Sequence, residues 1–226
     1  MFDLYIANKN YSSWSLRPWV LLKALEIPFN EHLMPFEGGF GDSYTTFKRF
    51  SPSGLVPCLV DNDHNVAVWD SLAIVEYVAE THPNVWPQER EARAWARSAS
   101  AEMHSGFGAL RDECSMNCGV RVAMNELSPG LKSNMARLDA LWQEGLARFG
   151  GPFLAGDRFT AVDAFYAPVA FRIQTFNLTL SEVSLAYVQR LLDLPAMQDW
   201  YAAALKQTWR EPMPEAETVK YATLLS

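Results

Sequence analysis

The first part of the chain carries short apolar runs, and turn-forming residues close each run. Residues 2–6 alternate between apolar and polar positions, which predicts a strand. The run that ends near Leu25 predicts a helix with Pro18 in its first turn, where no intrahelical amide donor is needed. A second apolar stretch at 29–36 completes a predicted strand–helix–strand unit.

A hairpin and a capped helix are predicted next, after the glycine-rich segment Gly38–Gly41. The apolar runs 55–60 and 66–69 flank a cluster of aspartate, asparagine and histidine, which is typical of a hairpin turn. Asp70 and Ser71 then precede a run of apolar residues, so their side-chain oxygens stand where the free amides of a starting helix need caps.

Beyond a predicted linker at 81–88 the pattern changes, because apolar residues now recur at helical spacing. No strand is predicted there, and the last fifteen residues, from Pro212, are expected to form an extended or loosely held tail. The predicted organisation is a domain over 1–80, the linker, and an all-helical domain over 89–226. Its predicted helices are one that carries Trp95, Ala99, Met103, Phe107 and Leu110, and others over 131–148, 161–176, 183–192 and 196–207.

Charge and composition exclude several function classes. The 226 residues include 26 acidic and 19 basic side chains, a formal charge of −7, whereas a protein that binds nucleic acid needs a basic face. The chain has no apolar run near the ~20 residues of a membrane span, and its start lacks the pattern of a secretory signal. We therefore expect a cytoplasmic protein with no nucleic-acid or membrane partner, whose 3 cysteines are reduced.

Four short segments combine hydroxyl, turn and cap chemistry in a fixed order. In one-letter code they are YSSWSLR at 11–17, GLVP at 54–57, DSLAIVEY at 70–77 and GDRFTAVD at 156–163. In order and spacing they resemble the signature segments of the cytosolic glutathione transferases, and the first is most similar to the zeta-class motif. The resemblance covers essentially the whole chain.

The resemblance implies a fold class of α/β plus all-α. A thioredoxin-like N-terminal domain with the order βαβαββα would be followed by a C-terminal helical bundle domain. Glutathione would be the co-substrate, a small electrophile would be the second substrate, and the enzyme would be a homodimer that uses no metal.

Glutathione binding would, by the same resemblance, use the second and third segments. A cis peptide between Val56 and Pro57 would expose the Val56 amide and carbonyl, which would pair with the cysteinyl backbone like an added strand. Ser71 would hold the γ-glutamyl carboxylate at a helix N-terminus, and Asp70 would face the ammonium group. The alternatives are that Asp70 and Ser71 only cap the helix and that Pro57 is an ordinary strand-edge proline.

Ser12 is the residue predicted to activate glutathione. A hydrogen bond from its hydroxyl to the sulfur would favour the thiolate over the thiol. Ser13 is assigned to glutathione binding. Ser13 or Ser15 could in principle take the activating role, but the likeness to the zeta-class motif favours the first serine.

The electrophile pocket is expected beside the long helix that follows the linker. His104 and Arg111 belong to a polar stripe with spacings of three or four residues, and Met103 and Phe107 are nearby. In the family the corresponding helix borders the second-substrate pocket, so these four residues could line it together with Arg172. The alternative is a solvated polar face.

Several positions depart from the zeta-class pattern. Thr175 stands where that class has an arginine for its dianionic substrate, and Arg172, about one turn earlier, is the candidate to compensate for it. Leu55 replaces the glutamine that commonly precedes Val-Pro. Lys48 and Arg49 are candidates for the glycine carboxylate of glutathione by charge alone.

Two further motifs are interpreted as structural. Thr160 and Asp163 have the spacing of a capping box and are expected to start the central helix of the second domain. Cys114 and Cys118 are interpreted as buried small hydrophobes or plain surface thiols, because no histidine spacing completes a four-ligand zinc site.

The function that the sequence favours is glutathione transfer, in which Ser12 activates the thiol for attack on a small apolar electrophile. No cysteine lies close to Ser12 in the sequence, which argues against a disulfide mechanism. A glutathione-dependent cis–trans isomerase of the maleylacetoacetate type is the first alternative. A non-catalytic binding or regulatory protein on the same scaffold is the second.

Overall fold

The computed structural model begins with a four-stranded sheet and describes residues 1–36 and 43–225, so the predicted segment Gly38–Gly41 lies outside the described residues. The sheet order is β2-β1-β3-β4, with β1 parallel to β2 and β3 antiparallel to both of its neighbours. The predicted order βαβαββα is confirmed. The elements are β1 (Phe2–Ile6), α1 (Ser13–Ala24), β2 (Phe29–Leu33), α2 (Tyr44–Phe47), β3 (Cys58–Asp61), β4 (Val66–Trp69) and α3 (Ser71–Ala79).

The hairpin β3–β4 forms where the turn-forming cluster predicts it. Asp61 accepts the amide hydrogen of Asp63 at 3.0 Å, an aspartate turn that starts the reversal. Asn65 has a φ of 55°, a left-handed conformation that asparagine tolerates better than most residues. The hydroxyl of Tyr77 on α3 also donates to Asp61, at 2.8 Å, and this bond ties the hairpin to the following helix.

The prediction for Pro18 is wrong. Helix α1 begins at Ser13, so Pro18 lies in its second turn, inside the helix. A proline there cannot donate to the carbonyl four residues earlier and weakens the helix locally. Burial offsets this cost, because residues from Leu16 to Leu22 are all nearly inaccessible to solvent.

The second part of the chain is a helical bundle around one buried helix, α7. Thr160 and Asp163 form the predicted capping box at its start, and almost every residue of this helix is buried. This helix packs against α1 and α4, and the hydroxyl of its Tyr166 donates to the Ala99 carbonyl at 3.0 Å. The helices are α4 (Arg90–Ser105), α5 (Gly108–Glu113), α6 (Pro129–Phe149), α7 (Ala161–Phe176), α8 (Glu182–Leu192), α9 (Pro195–Lys206) and α10 (Pro212–Val219).

The polar stripe predicted along one long helix is interrupted. Helix α4 ends at Ser105, and Gly106 and Phe107 separate it from α5, with Phe107 in the left-handed conformation at a φ of 57°. His104 and Arg111 therefore lie on two different helices. Phe107 and Met103 are buried in the core, at 6% and 2% exposure.

The predictions of no strand and of a loose tail in the second part are also wrong. The tail folds into α10 and then into β6 (Ala222–Leu224), which pairs antiparallel with β5 (Val122–Met124). Three-residue strands are too short to show a period in the sequence. Side chains far away in the chain hold α10: Tyr11 donates to Glu215, and Asn117 donates to Glu215 at 3.2 Å.

The three cysteines are unpaired and buried. Burial raises the pKa of Cys58 to about 11 and that of Cys114 to about 12, so both thiols are protonated near neutral pH. The interpretation of Cys114 and Cys118 as buried small hydrophobes is confirmed. Within residues 1–36 and 43–225, no helix combines the length and the apolar character that crossing a bilayer requires.

Candidate functional site

A cavity of about 570 Å³ lies between the N-terminus of α1, the loop before β3 and the helices α5, α7 and α10. Its volume falls in the range typical of small-molecule sites. The cavity brings together residues that are up to 206 positions apart in the sequence, counted from Tyr11 to Glu217. The predicted site residues that line it are Ser12, Ser13, Val56, Pro57, Asp70, Arg111 and Arg172.

The remaining predicted residues lie outside the cavity lining. Met103, on α4, and Phe107, between α4 and α5, are both buried in the core. Ser71 is fully buried behind Asp70. His104 lies next to Asp70, with its Nε2 3.7 Å from Asp70 Oδ1.

The loop before β3 carries the predicted backbone edge. The peptide between Val56 and Pro57 is cis. Within the described residues the amide and the carbonyl of Val56 have no hydrogen-bond partner. Because both groups lie at the cavity, they are free to pair with an extended peptide. Leu55 is exposed and lines the same rim.

Asp70 is the N-cap of α3. Its Oδ1 accepts the amide hydrogen of Leu72 at 2.8 Å, so the capping role is confirmed. Its φ of 73° is a left-handed backbone conformation that aspartate adopts more readily than most residues other than glycine. The N-terminus of the helix thus combines free amide donors and a partial positive charge with one carboxylate.

Arg17 lies directly behind this helix N-terminus, although the sequence analysis assigned it no role. Its Nη1 donates to Ser71 Oγ at 3.3 Å, and its guanidinium stacks on the ring of Trp14 with 4.1 Å to the centroid. Burial, and then the nearby charge of Arg111, lowers the pKa of Arg17 to about 9. The sequence feature that could have identified Arg17 is its position in the first segment, 11–17. No pattern of neighbouring residues, however, indicates that its side chain reaches α3.

His104 shares this polar corner. Its ring meets Trp14 edge to face at 5.2 Å, and burial lowers its pKa, opposed by the charge of Asp70 and reinforced by Arg17 and Arg111. The histidine is therefore neutral near pH 7. It lies beside the carboxylate of Asp70 and not among the residues of the cavity wall.

The serines of the first loop have different partners. The Ser12 hydroxyl donates to Ser15 Oγ at 2.7 Å, and Ser15 Oγ also accepts the amide hydrogen of Ala7 at 3.3 Å. Ser13 Oγ accepts a hydrogen bond from Arg172 Nη2 at 3.3 Å. Ser12 and Ser13 both face the cavity at the start of α1.

Two arginines, Arg111 and Arg172, line the same cavity as these serines. Arg111 donates to the Gly106 carbonyl at 2.9 Å and to the His104 carbonyl at 3.0 Å, so it caps the end of α4. Arg172 donates to the Cys114 carbonyl and to Ser13. Burial lowers the pKa of both, that of Arg172 to about 10.

Thr175 and the two candidates for the glycine carboxylate, Lys48 and Arg49, lie outside the cavity lining. Thr175 is buried and donates to the Asn117 carbonyl at 2.8 Å, away from the cavity lining. Lys48 donates to the Pro52 carbonyl, and neither it nor Arg49 is among the cavity-lining residues of the described chain.

Helix α10 supplies a cavity wall that sequence reasoning missed. Pro214 and Glu217 line the cavity. The anchor of this helix is Tyr11, which donates to Glu215 and accepts the Glu211 amide at 3.4 Å. The apolar pattern of α10 is too weak to predict a docked helix.

Comparisons with known proteins agree on one family. The family model described as glutathione S-transferase, N-terminal domain, matches residues 11–81, and that described as glutathione S-transferase, C-terminal domain, matches residues 93–203. Together they cover most of the chain, and they include the four segments that carry the resemblance.

Curated relatives share about a quarter of their residues with this chain. A probable maleylacetoacetate isomerase of Caenorhabditis elegans is 28% identical over 85% of this chain and 89% of its own length. Glutathione S-transferase GstB of Escherichia coli K12 is 26% identical over 86% and 89%, and glutathione S-transferase Z2 of Arabidopsis thaliana is 28% identical over 87% and 92%.

Solved structures share the fold. A glutathione transferase homolog from a Burkholderia species, solved with bound glutathione, has a TM-score of 0.68 at 21% identity and covers 91% of this chain and 99% of its own. A theta-class enzyme from Xanthomonas axonopodis pv. citri, also with glutathione bound, has a TM-score of 0.65 at 22% identity, with coverage of 91% and 99%. The chain belongs to the glutathione S-transferase family, with the thioredoxin-like and helical domains that its sequence predicts.

Proposed function

We propose that this protein is a glutathione transferase that activates the thiol of glutathione for attack on a small apolar electrophile. One observation carries the proposal. A single cavity joins the loop of Ser12, the cis Val56–Pro57 edge and the capped N-terminus of α3 at Asp70. These three features would bind, in that order, the thiol, the cysteinyl backbone and the γ-glutamyl group of glutathione.

The backbone of the tripeptide would dock at the edge and at the helix. The free amide and carbonyl of Val56 would pair with the cysteinyl residue as an added strand does. The γ-glutamyl carboxylate would meet the amides of the α3 N-terminus and the Ser71 hydroxyl, with the cation of Arg17 behind it. Asp70 would pair with the ammonium group.

Ser12 would then stabilise the thiolate. A free thiol has a pKa of about 8.5, so most of the ligand is protonated near pH 7 without help. Turning the Ser12 hydroxyl from Ser15 toward the sulfur needs only rotation about one bond, and the new hydrogen bond is to an anion, which strengthens it. The N-terminus of α1 lies at the same point and favours negative charge.

The chemistry that follows is nucleophilic substitution or addition. The sulfur of the thiolate forms a bond to the electrophilic carbon, and in substitution the leaving group departs with its electron pair. Holding both reactants in one cavity supplies a large part of the rate through orientation. Apolar groups from Trp14, Phe36 and Met116 would hold the electrophile.

We also propose that the protein is cytoplasmic and that it is a homodimer.

Two measurements test the proposal, each on one variant beside the wild-type protein. Calorimetry of glutathione binding is expected to show weaker binding by Ser71→Ala than by wild type. Ultraviolet titration of the bound thiol is expected to give a higher pKa in Ser12→Ala than in wild type. Unchanged values in both variants would remove the proposed site. Absence of turnover with every electrophile, at intact binding, would favour the non-catalytic alternative.

A second candidate function is cis–trans isomerisation of the maleylacetoacetate type. Two observations favour it. Arg111 and Arg172 line the cavity, and within the described residues neither has a carboxylate at ion-pair distance. Their positive charges would therefore attract an anionic substrate. The worm relative also carries that name. Assays with a maleylacetoacetate-type substrate beside a chlorinated aromatic electrophile separate the two functions.

A further inference from the structure

Arg172 makes an unusual contact for a residue in the centre of a helical domain. It is only 6% exposed, and its Nη2 reaches across the domain boundary to Ser13 Oγ at 3.3 Å. Its Nη1 donates to the Cys114 carbonyl. The charged groups that interact with it are Arg17, Arg111, Asp112 and Glu217, and no carboxylate among the described residues lies within ion-pair distance of it.

The contact matters because it determines what the Ser13 hydroxyl can do. A hydroxyl has one proton to donate and lone pairs that accept. Ser13 Oγ accepts from Arg172, and within residues 1–36 and 43–225 its own proton has no acceptor. Ser12 differs, because its proton is donated to Ser15 Oγ. Ser15 Oγ likewise acts only as an acceptor, but Ser15 does not line the cavity, so among the described residues Ser13 is the cavity-lining serine of this loop whose donor capacity is unused.

We propose that Arg172 is a positioning residue for thiol activation, which acts by donating to Ser13 so that the Ser13 hydroxyl donates to the sulfur of glutathione. Ser12 and Ser13 then share the thiolate. This inference rests on the proposed function, because it assumes that glutathione occupies the cavity. It assigns Arg172 to the thiol and leaves Arg111 as the cation that faces the second substrate.

Two physical effects support this role. A hydroxyl that accepts from a guanidinium is polarised by it and becomes a better donor to an anion. The buried positive charge itself also favours the thiolate, since attraction between charges is stronger where water is excluded. Burial of the Arg172 charge carries a desolvation cost, and a negative sulfur bound nearby would compensate it.

The test measures the pKa of enzyme-bound glutathione by ultraviolet titration in a matched set of variants. Arg172→Gln removes the charge, Arg172→Lys keeps it but loses the fork geometry, and Ser13→Ala removes the hydroxyl. Arg121→Gln is the control, because Arg121 also donates to carbonyl groups, at Cys118 and Val120, but does not line the cavity.

We expect Arg172→Gln to raise the thiol pKa by about one unit, as loss of a nearby opposite charge does. Ser13→Ala and Arg172→Lys should each raise it by a smaller amount, and Arg121→Gln should leave it unchanged. Combining Ser13→Ala with Arg172→Gln should raise the pKa by less than the sum of the single effects, because the two residues act through one hydrogen bond. A merely structural Arg172 would not give this coupling.

The opposing outcomes are distinct. If Arg172→Gln, Arg172→Lys and Ser13→Ala all leave the thiol pKa at the wild-type value while Ser12→Ala raises it, the inference is wrong and the proposed function survives. A raised KM for a carboxylate-bearing electrophile at unchanged thiol pKa would assign Arg172 to the substrate. If Ser12→Ala is also silent and Ser71→Ala binds glutathione normally, the proposed function itself fails. Should Arg172→Gln fail to fold, as judged by its melting curve, Ser13→Ala and Arg172→Lys decide.

Discussion

His104 Nε2 lies 3.7 Å from Asp70 Oδ1, so the end of helix α4 meets the N-cap of helix α3 across the domain boundary. Trp14 packs edge to face against the same histidine and lies under the guanidinium of Arg17. The polar corner that would receive the γ-glutamyl group is therefore built from both domains.

Replacing His104 with Gln should change how stability depends on pH. Burial lowers the pKa of His104 in the folded protein, so the unfolded chain binds the proton more readily. Wild type should lose stability as pH falls through the unfolded value near 6.5 toward the lower folded pKa. Melting temperatures measured from pH 7.5 to 5 should therefore fall less steeply in His104→Gln. Equal slopes of melting temperature against pH in the two proteins would show that the pKa of His104 is not lowered by folding.

Replacing Arg17 with Met should weaken glutathione binding about tenfold, the effect of losing about 1.4 kcal/mol. The substitution removes the donor to Ser71 and the positive charge behind the carboxylate subsite. Folding stability should change little, because a buried cation without a close carboxylate carries a desolvation cost. Calorimetric titration with glutathione checks the affinity, and urea unfolding checks the stability.

The control for Arg17 is Arg97→Gln, which breaks an exposed ion pair with Glu76 at 3.1 Å. This variant should bind glutathione as wild type does, since surface pairs contribute little. Equal losses of affinity in both variants would point to a general effect of charge and not to the subsite.

Replacing Asp163 with Ala should destabilise the fold by about 2–4 kcal/mol and leave glutathione affinity of the folded protein unchanged. The Asp163 carboxylate accepts from the Leu154 amide at 3.1 Å, the Thr160 amide at 2.9 Å and the Tyr187 hydroxyl at 2.8 Å. All three donors would be left buried. Urea unfolding measures the loss, with the exposed Asp157→Ala as the matched control. A stability change as small as that of the control would contradict the capping role.

Replacing Tyr11 with Phe should loosen helix α10. The Tyr11 hydroxyl donates to Glu215 and accepts the Glu211 amide, so the variant should lose about 1 kcal/mol of stability from these contacts. Amide hydrogen exchange over 212–225 should become faster, while exchange in α7 stays unchanged. Tyr44→Phe, at an exposed tyrosine, is the control. Unchanged exchange in α10 would show that other contacts hold it.

The elements that sequence reasoning predicts well depend on neighbours in the chain. The capping box of Thr160 and Asp163 spans four residues, and the hairpin β3–β4 is closed by its own turn cluster. Both elements form through contacts between residues that are close in the sequence. The residue types at those positions are therefore enough to predict them. The loop of Ser12 and the cap at Asp70 are of the same kind.

The elements that reasoning missed depend on partners far along the chain. The break at Gly106 separates α4, which packs on α7, from α5, which packs on α6, and the docking of α10 follows from Tyr11, about 200 residues away. A periodic pattern reports which residues are apolar but not which distant surface they meet.

The sequence by itself determined the family and the βαβαββα order, and the resemblance to that family implied the cis peptide between Val56 and Pro57. Only the tertiary structure decided that Arg17 supports Ser71, that Arg172 reaches Ser13 and that His104 meets Asp70. The reason is physical. Local chain conformation and its caps are set by short-range sterics and hydrogen bonds, whereas the direction of a long cationic side chain depends on which buried acceptors packing leaves within its reach.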